Sequence, residues 1–185
     1  MKILSGAGVA LLLLTLILPG GARGASAYNF PSRDYLTPQE IELVKEAQIL
    51  DKRIEVFIKA AERRLQVLTG IAPAPTKQDK KDAEKWGDLP AGTRAELITD
   101  ISGILDAAIT NIDDVAVRDE KNALVPKALR KLADAATHIQ GQLTPMYEQS
   151  KDKAERLAIE QALQNVQEIL EAAGKLPPPT APVKK

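Results

Sequence analysis

Between Leu36 and Leu68 the chain reads LTPQEIELVKEAQILDKRIEVFIKAAERRLQVL. Its apolar positions Ile41, Val44, Ala47, Leu50, Ile54, Phe57, Ala61, Leu65 and Leu68 recur at steps of three and four. That spacing sets them on one face of an α-helix. Arg53, Glu55, Lys59, Glu62 and Arg63 fall on the other sides, with Glu55 placed to pair with Lys59 one turn on. The start is marked residue by residue. Thr37 suits the N-cap, where its hydroxyl can accept from a free N–H of the first turn, and Pro38 suits N1, where a missing N–H costs nothing. Glu40, three residues after Thr37, completes a capping box. Thr69-Gly70 and Pro73 supply the stop. The pattern predicts one helix of about thirty residues, about 45 Å long at 1.5 Å per residue.

Three further amphipathic segments follow. Thr93 and Glu96 form a second capping box ahead of a helix carrying Leu97, Ile101, Ile104, Leu105, Ala108, Ile112 and Val115 on one face. Gly103 lies inside it, where glycine costs about 1 kcal/mol relative to alanine, and close approach of another helix is the expected reason. A polar break at Asp119-Glu120-Lys121-Asn122 precedes Pro126, near the start of a third helix with Leu129, Leu132, Ala136, Ile139 and Leu143 inside. The pattern weakens around Gly141, Pro145 and Ser150. A fourth helix then carries Ile159, Leu163, Val166, Leu170 and Ala173, with Gly174 as its C′ residue and Pro177-Pro178-Pro179 beyond. No strand pattern and no repeat of fixed period occurs. The prediction is all-α: an elongated antiparallel bundle of four helices, or of three if the second and third are fused and kinked at Pro126.

The connection from Gly70 to Gly92 exceeds the two to eight residues, roughly, that join helices in bundles. It holds Trp86, the only tryptophan, with Leu89 near it. Trp86 either anchors a protein partner from the surface, as tryptophan often does, or folds back to close one end of the bundle, which the cost of leaving an indole in water favours. Val56, Ile58 and Val67 flank the main stripe of the first helix and widen its apolar arc. A four-helix core uses such width itself, but a partner, or a homodimer through the same face, would fit too. Trp86, Leu89, Val56, Ile58 and Val67 are thus the partner-binding candidates.

The N-terminus changes how much of the chain enters the fold. Lys2, the apolar run from Ala10 to Leu18, the breaker Pro19-Gly20-Gly21 and the A-x-A site Ala25-Ser26-Ala27 predict a cleaved secretory signal peptide over 1–27. The apolar run is shorter than the span of about 20 residues that a membrane helix needs. There is no twin-arginine pair and no lipobox cysteine, so the expectation is Sec export to a periplasmic or secreted location, with no membrane span after cleavage. The organisation is then signal peptide 1–27, an N-terminal arm 28–36, the bundle 37–174 with its long connection at 70–92, and a Pro-rich tail 175–185. The tail suits an extended, polyproline-type tether or a frayed end.

Basic and acidic residues number 25 each, and loss of Lys2 and Arg23 leaves a slight net negative charge. Such a balance gives no electrostatic case for nucleic acid. With no cysteine there is no disulfide, thiolate metal site or thiol nucleophile, although the expected compartment is oxidising. Aromatic residues make up 3% of the chain, so the core must be built of Leu, Ile, Val and Ala.

The remaining chemistry points away from an enzyme, a metal site or a cofactor. His138 is the only histidine, so histidine clusters cannot form within one chain. A His–Met haem pair would need Met146, which follows His138 on nearly the same helix and would not face it across a haem. Asp100, Asp106, Asp113, Asp114, Asp119 and Glu120 lack the spacing and central glycine of a calcium loop and read as a solvated face. The Glu-x-x-His pairs of di-iron bundles are missing, as are Gly-x-Ser-x-Gly, Ser-x-x-Lys and a phosphate-binding glycine loop. Paired carboxylates of the glycosidase kind usually work in a cleft with sugar-stacking aromatics, which are scarce here.

At Leu36–Gln39 (LTPQ) and Leu143–Met146 (LTPM) the chain is similar to the small all-helical periplasmic chaperones and envelope-stress sensors of the Spy and CpxP type, which carry L-T-x-x-Q before helices. The likeness covers those residues alone, and neither copy places glutamine fifth. It implies a holdase acting as a cradle-shaped dimer on unfolded clients, although the near-neutral chain gives no basis for a strongly basic cradle. Thr-Pro helix starts would account for both copies. Two expectations result: a non-enzymatic structural or protein-interaction module of the cell envelope, or a periplasmic holdase or stress sensor.

Overall fold

The computed structural model describes residues 34–71 and 84–178, all within one unit. The segment 1–27 expected to be a signal peptide, most of the arm, the middle of the 70–92 connection and the end of the tail lie outside the described residues. Five helices run through them: α1 Pro38–Glu46, α2 Leu50–Thr69, α3 Arg94–Arg118, α4 Leu124–Gln149 and α5 Lys153–Gly174. A single helical turn occupies 84–86, and no strand occurs among the described residues.

The long first helix of the sequence reading is two helices. Its start is as predicted: Thr37 Oγ1 accepts from Glu40 N at 3.3 Å, and Glu40 Oε2 accepts from Thr37 N at 2.9 Å. At Ala47 the backbone leaves the helical region, with φ −77° and ψ 79°. Side chains satisfy the carbonyls released there: Gln48 Nε2 donates to Lys45 O at 2.6 Å and Arg53 Nε to Ala47 O at 2.9 Å. The reason for the break is long-range. In one continuous helix Glu40 and Arg64 would stand about 36 Å apart at 1.5 Å per residue. Instead they form an ion pair of 2.6 Å, so α1 folds back along α2. The buried side chains of α1 are then Glu40 and Leu43, whereas Ile41, Val44 and Ala47 of the predicted stripe are half-buried.

Downstream, α2 buries Leu50, Ile54, Phe57, Ala61, Leu65 and Leu68 as the stripe predicts. It ends at Gly70, whose left-handed φ of 67° suits a residue without Cβ. The second capping box forms at Thr93 and Glu96, and the predicted face of α3 is buried, with Val115 half-buried and Ile98 added. A turn over 119–123 separates α3 from α4, so the two are not fused at Pro126; Asn122 Oδ1 accepts from Leu124 N at 2.9 Å to open α4. The weak pattern around Gly141 and Pro145 is no boundary, because α4 runs through both to Gln149. Pro145 removes one bond to the carbonyl of Gly141, and Gly141 is exposed, where water can replace it. Thr144-Pro145 is therefore not a helix start, unlike Thr37-Pro38. The fourth helical segment, α5, starts at an Asp152 cap accepting from Glu155 N at 2.8 Å. Gly174 is its last helical residue and not C′: Lys175 is the C-cap, in right-handed conformation. The buried face of α5, with Ala158, Ile159, Ala162, Val166 and Ile169, is turned slightly from the predicted one, leaving Leu163 and Leu170 half-buried.

The four long helices pack as a ring in the order α2, α3, α5, α4, while α1 packs on α2. The cross-links give their directions. Asp51–Lys127 and Glu55–Lys131, both 76 residues apart, join α2 to α4, and a constant offset means parallel helices. Arg94–Glu155 and Ser102–Asn165, 61 and 63 apart, show α3 and α5 parallel as well. The other two neighbouring pairs are antiparallel: Arg94 at the start of α3 donates to Leu68 O at the end of α2, and Arg130 early in α4 donates to Pro177 O beyond α5. Successive long helices thus alternate in direction, and the parallel pairs join helices that are not consecutive in the chain. Each helix has one antiparallel and one parallel neighbour, because the short 119–123 turn crosses the bundle diagonally.

Candidate functional site

Buried charge joins α1 to the bundle beside a small apolar contact through Leu43. Arg64 is 1% exposed and Glu40 is 0% exposed. Arg64 Nη1 donates to Glu40 Oε1 at 2.6 Å and to Ala60 O at 2.9 Å, and its Nη2 donates to Tyr35 O at 2.8 Å. Arg64 Nε lies 3.7 Å from Asp100 Oδ2 on α3. Arg63 reaches the other way. Its Nη1 donates to Trp86 O at 2.7 Å and sits 3.3 Å from Glu40 Oε1, while Nη2 donates to Gly87 O at 3.0 Å and to Asp88 O. One guanidinium thereby holds three successive carbonyls, from the last residue of the 84–86 turn onward. Two arginines face two carboxylates, so the buried group is neutral as a whole, which is what makes burial tolerable. Lost hydration lowers the Arg63 pKa while the attraction of Glu40 opposes it.

Trp86 belongs to this group. It is 8% exposed, with Lys59 Nζ 5.0 Å and Arg63 Cζ 5.4 Å from its ring centroid, distances at which a cation is attracted by the ring face. Gly103 also meets the arm: a Cβ there would lie 3.0 Å from Tyr35 Cγ. The close approach expected at Gly103 exists, but it comes from Tyr35 and not from a helix.

A second charged group closes the α2/α4 seam. Asp51 pairs with Lys127 at 3.0 Å and with Lys131 at 2.8 Å; Lys131 also pairs with Glu55, which takes Lys52 at 2.9 Å. Glu55 is thus tied to Lys52 and Lys131 rather than to Lys59. The Lys131 hydrogen bond holds the Asp51 and Glu55 carboxyls below their ordinary pKa, and Asp51 in turn raises that of Lys131. Farther along, the seam opens into a groove of about 430 Å³ lined by Glu62, Leu65, Gln66, Ile71, His138 and Gln142, among others. Glu62 is exposed by surface area, yet crowding by the groove strips enough water from its carboxyl to raise its pKa, against the pull of His138 and Lys59. Exposure keeps the energetic weight of that effect small.

The partner-binding candidates are dispersed. Trp86 is buried, Leu89 is 47% exposed, Val67 is exposed, and Val56 and Ile58 are half-buried against the core. At 100° per residue Val56 and Val67 share one side of α2, and Ile58 points to nearly the opposite side. Val56 and Trp86 meet with Leu43 along a shallow cleft beside α1. His138 is exposed and Met146 half-buried, both on α4. Of the acidic series, Asp106, Asp113, Asp114, Asp119 and Glu120 are exposed, whereas Asp100 is buried in the charge cluster and leaves the solvated face. Among the described residues no three His, Cys, Asp or Glu side chains gather as a metal site, and no helix is long and apolar enough to cross a membrane.

The charge cluster is hidden in the local pattern, where Glu40 has the place of a cap and Arg63 that of a solvated back. A signal was present. Arg64 follows Ala61 by three and precedes Leu68 by four, which puts a guanidinium on the apolar stripe, and a charge there needs a buried partner. No protein family, curated protein or solved structure matches this chain.

Proposed function

We propose that the chain is an exported, non-enzymatic helical bundle that acts as a structural or protein-interaction module of the cell envelope. The observation that carries this reading is the groove at the end of the α2/α4 seam. Leu65 and Ile71 give it an apolar floor and lip, and Glu62, His138 and Gln142 give it a polar rim. Ile71 is 69% exposed. An apolar centre with a polar rim is the usual make-up of a protein contact. The N-terminal signal pattern supports export, and the small net charge favours a protein over a polyanion as partner.

The test is a pull-down of the mature chain from the native envelope fraction, with reversible crosslinking and mass spectrometry, beside a double substitution Ile71→Ser, Gln142→Arg. Deleting 70–92 would be the wrong control, because it removes Trp86 and the three carbonyls that Arg63 holds. A dominant prey lost with the groove substitutions supports a dedicated module. Many unrelated preys, together with suppression of aggregation of several clients at near-stoichiometric amounts, would instead favour the holdase reading.

A further inference from the structure

The arm and α1, residues 34–48, and the segment 84–88 are attached differently from the rest of the molecule. Of the other helices α1 packs on α2 alone, and Leu43 is its only fully buried apolar side chain. From 84–88 Trp86 alone is buried. The four long helices complete their ring without either segment. The two segments are also tied to each other: Lys85 pairs with Glu46 at 3.5 Å, and a Cβ on Gly87 would come within 3.1 Å of Gln39 Cδ. They meet at Arg63: Glu40 Oε1 touches both Arg63 and Arg64, and Arg63 also holds the carbonyls of Trp86, Gly87 and Asp88.

We infer that residues 34–48 and 84–88 form one strap, closed on α2 by Glu40, that opens as a unit while the α2–α5 ring stays folded. The physical basis is the kind of contact each part makes. Few buried apolar contacts place a segment at the low end of local stability, and removing one member of a buried ion cluster penalises the closed state heavily because the others remain desolvated. Opening lets water reach Arg63, Arg64 and Glu40 together, so the charges cost little once released. It also exposes Leu43 and the indole of Trp86, both buried in the closed chain.

Trp86 is the sole tryptophan and lies in the strap, so the full chain carries its own reporter. Glu40→Gln keeps the side-chain shape but leaves one acceptor oxygen for two duties, the Thr37 N–H and the arginine pair. The expected result is a red shift of Trp86 emission with helical circular dichroism almost unchanged. Hydrogen exchange at the bonded amides of α1 should accelerate about a hundredfold, with α3 and α5 amides unmoved. Buried Trp86 emission and native protection of α1 in this variant would overturn the inference, and so would loss of the strap only together with the ring. The unmodified chain gives an independent check. Its α1 amides should exchange through an opening less costly than that protecting α3 and α5; equal protection in all three would also overturn the strap.

Discussion

Helices α1 and α3 begin with the same signature, Thr-x-x-Glu, and the same geometry: Thr37 N donates to Glu40 at 2.9 Å, and Thr93 N donates to Glu96 at 2.7 Å. Their later courses diverge. Helix α3 buries Leu97, Ile98, Ile101, Ile104, Leu105, Ala108 and Ile112 with one charged residue, Asp100, while α1 buries Leu43 and the very glutamate that caps it. Glu96 remains half-buried near the surface, but the second oxygen of Glu40 is spent on two arginines from another helix. One local motif thus serves as a helix start in one place and as a tertiary fastener in the other. The capping geometry is local, so it cannot distinguish them; what differs is how deeply the carboxylate is buried, fully at Glu40 and by half at Glu96.

Three changes test how far this difference goes. The largest effect is expected at the fastener. Arg64→Met removes the guanidinium that reaches Glu40, Tyr35 O and Asp100 and should disfavour the closed strap by about 3 to 5 kcal/mol, the usual cost of breaking a buried ion pair. Trp86 emission would report this before helical circular dichroism does; coincident transitions in denaturant would erase the distinction between strap and ring. Next comes the apolar side. Ile104→Ala, in a fully buried position of α3, should lower global stability by about 2 to 4 kcal/mol through lost burial and a residual cavity. Here tryptophan and dichroism should shift together, and a shift in tryptophan alone would mean that α3 supports the strap instead of the ring.

The smallest effect is the pH dependence of the α2/α4 seam, where the charges are partly wet. Asp51 and Glu55 have depressed pKa values in the folded chain, so their contribution is present above their ordinary values of 3.8 and 4.5 and is lost as pH falls through the lower folded ones. Lys131 is raised, so its contribution is present below 10.5 and is lost as pH climbs through the higher folded value. Glu62 has the opposite sign to the other carboxylates: its raised pKa favours the folded chain below 4.5 and the benefit fades as the group ionises. Denaturation midpoints should therefore be nearly flat between about pH 5 and 9 and fall on both sides. A Lys131→Met variant should lose most of the alkaline fall; retention of that fall would assign it to other groups.

Much of the local structure was legible. Thr37-Pro38-Gln39-Glu40, Thr93-x-x-Glu96 and Gly70 mark helix ends because capping hydrogen bonds join residues three or four apart, and those partners are adjacent in sequence. The apolar series from Leu97 to Ile112 marked the inner face of α3 for the same reason: a helical period is a local property. Where the period weakens, around Gly141, Pro145 and Ser150, the helix ends only at Ser150, since tertiary packing carries α4 through a proline whose missing bond falls on the exposed side.

The sequence by itself determined the all-helical class, most helix ends and most inward faces, because hydrogen bonds and side-chain periodicity within a helix depend on near neighbours. Only the tertiary structure decided the break at Ala47–Ile49, the parallel pairing of α2 with α4 and of α3 with α5, the approach of Tyr35 to Gly103, and the burial of Glu40 between Arg63 and Arg64. Each of these turns on atoms far apart in the chain. A charge on an apolar stripe announces that a partner must exist, but which residue comes to meet it depends on how the whole chain folds back.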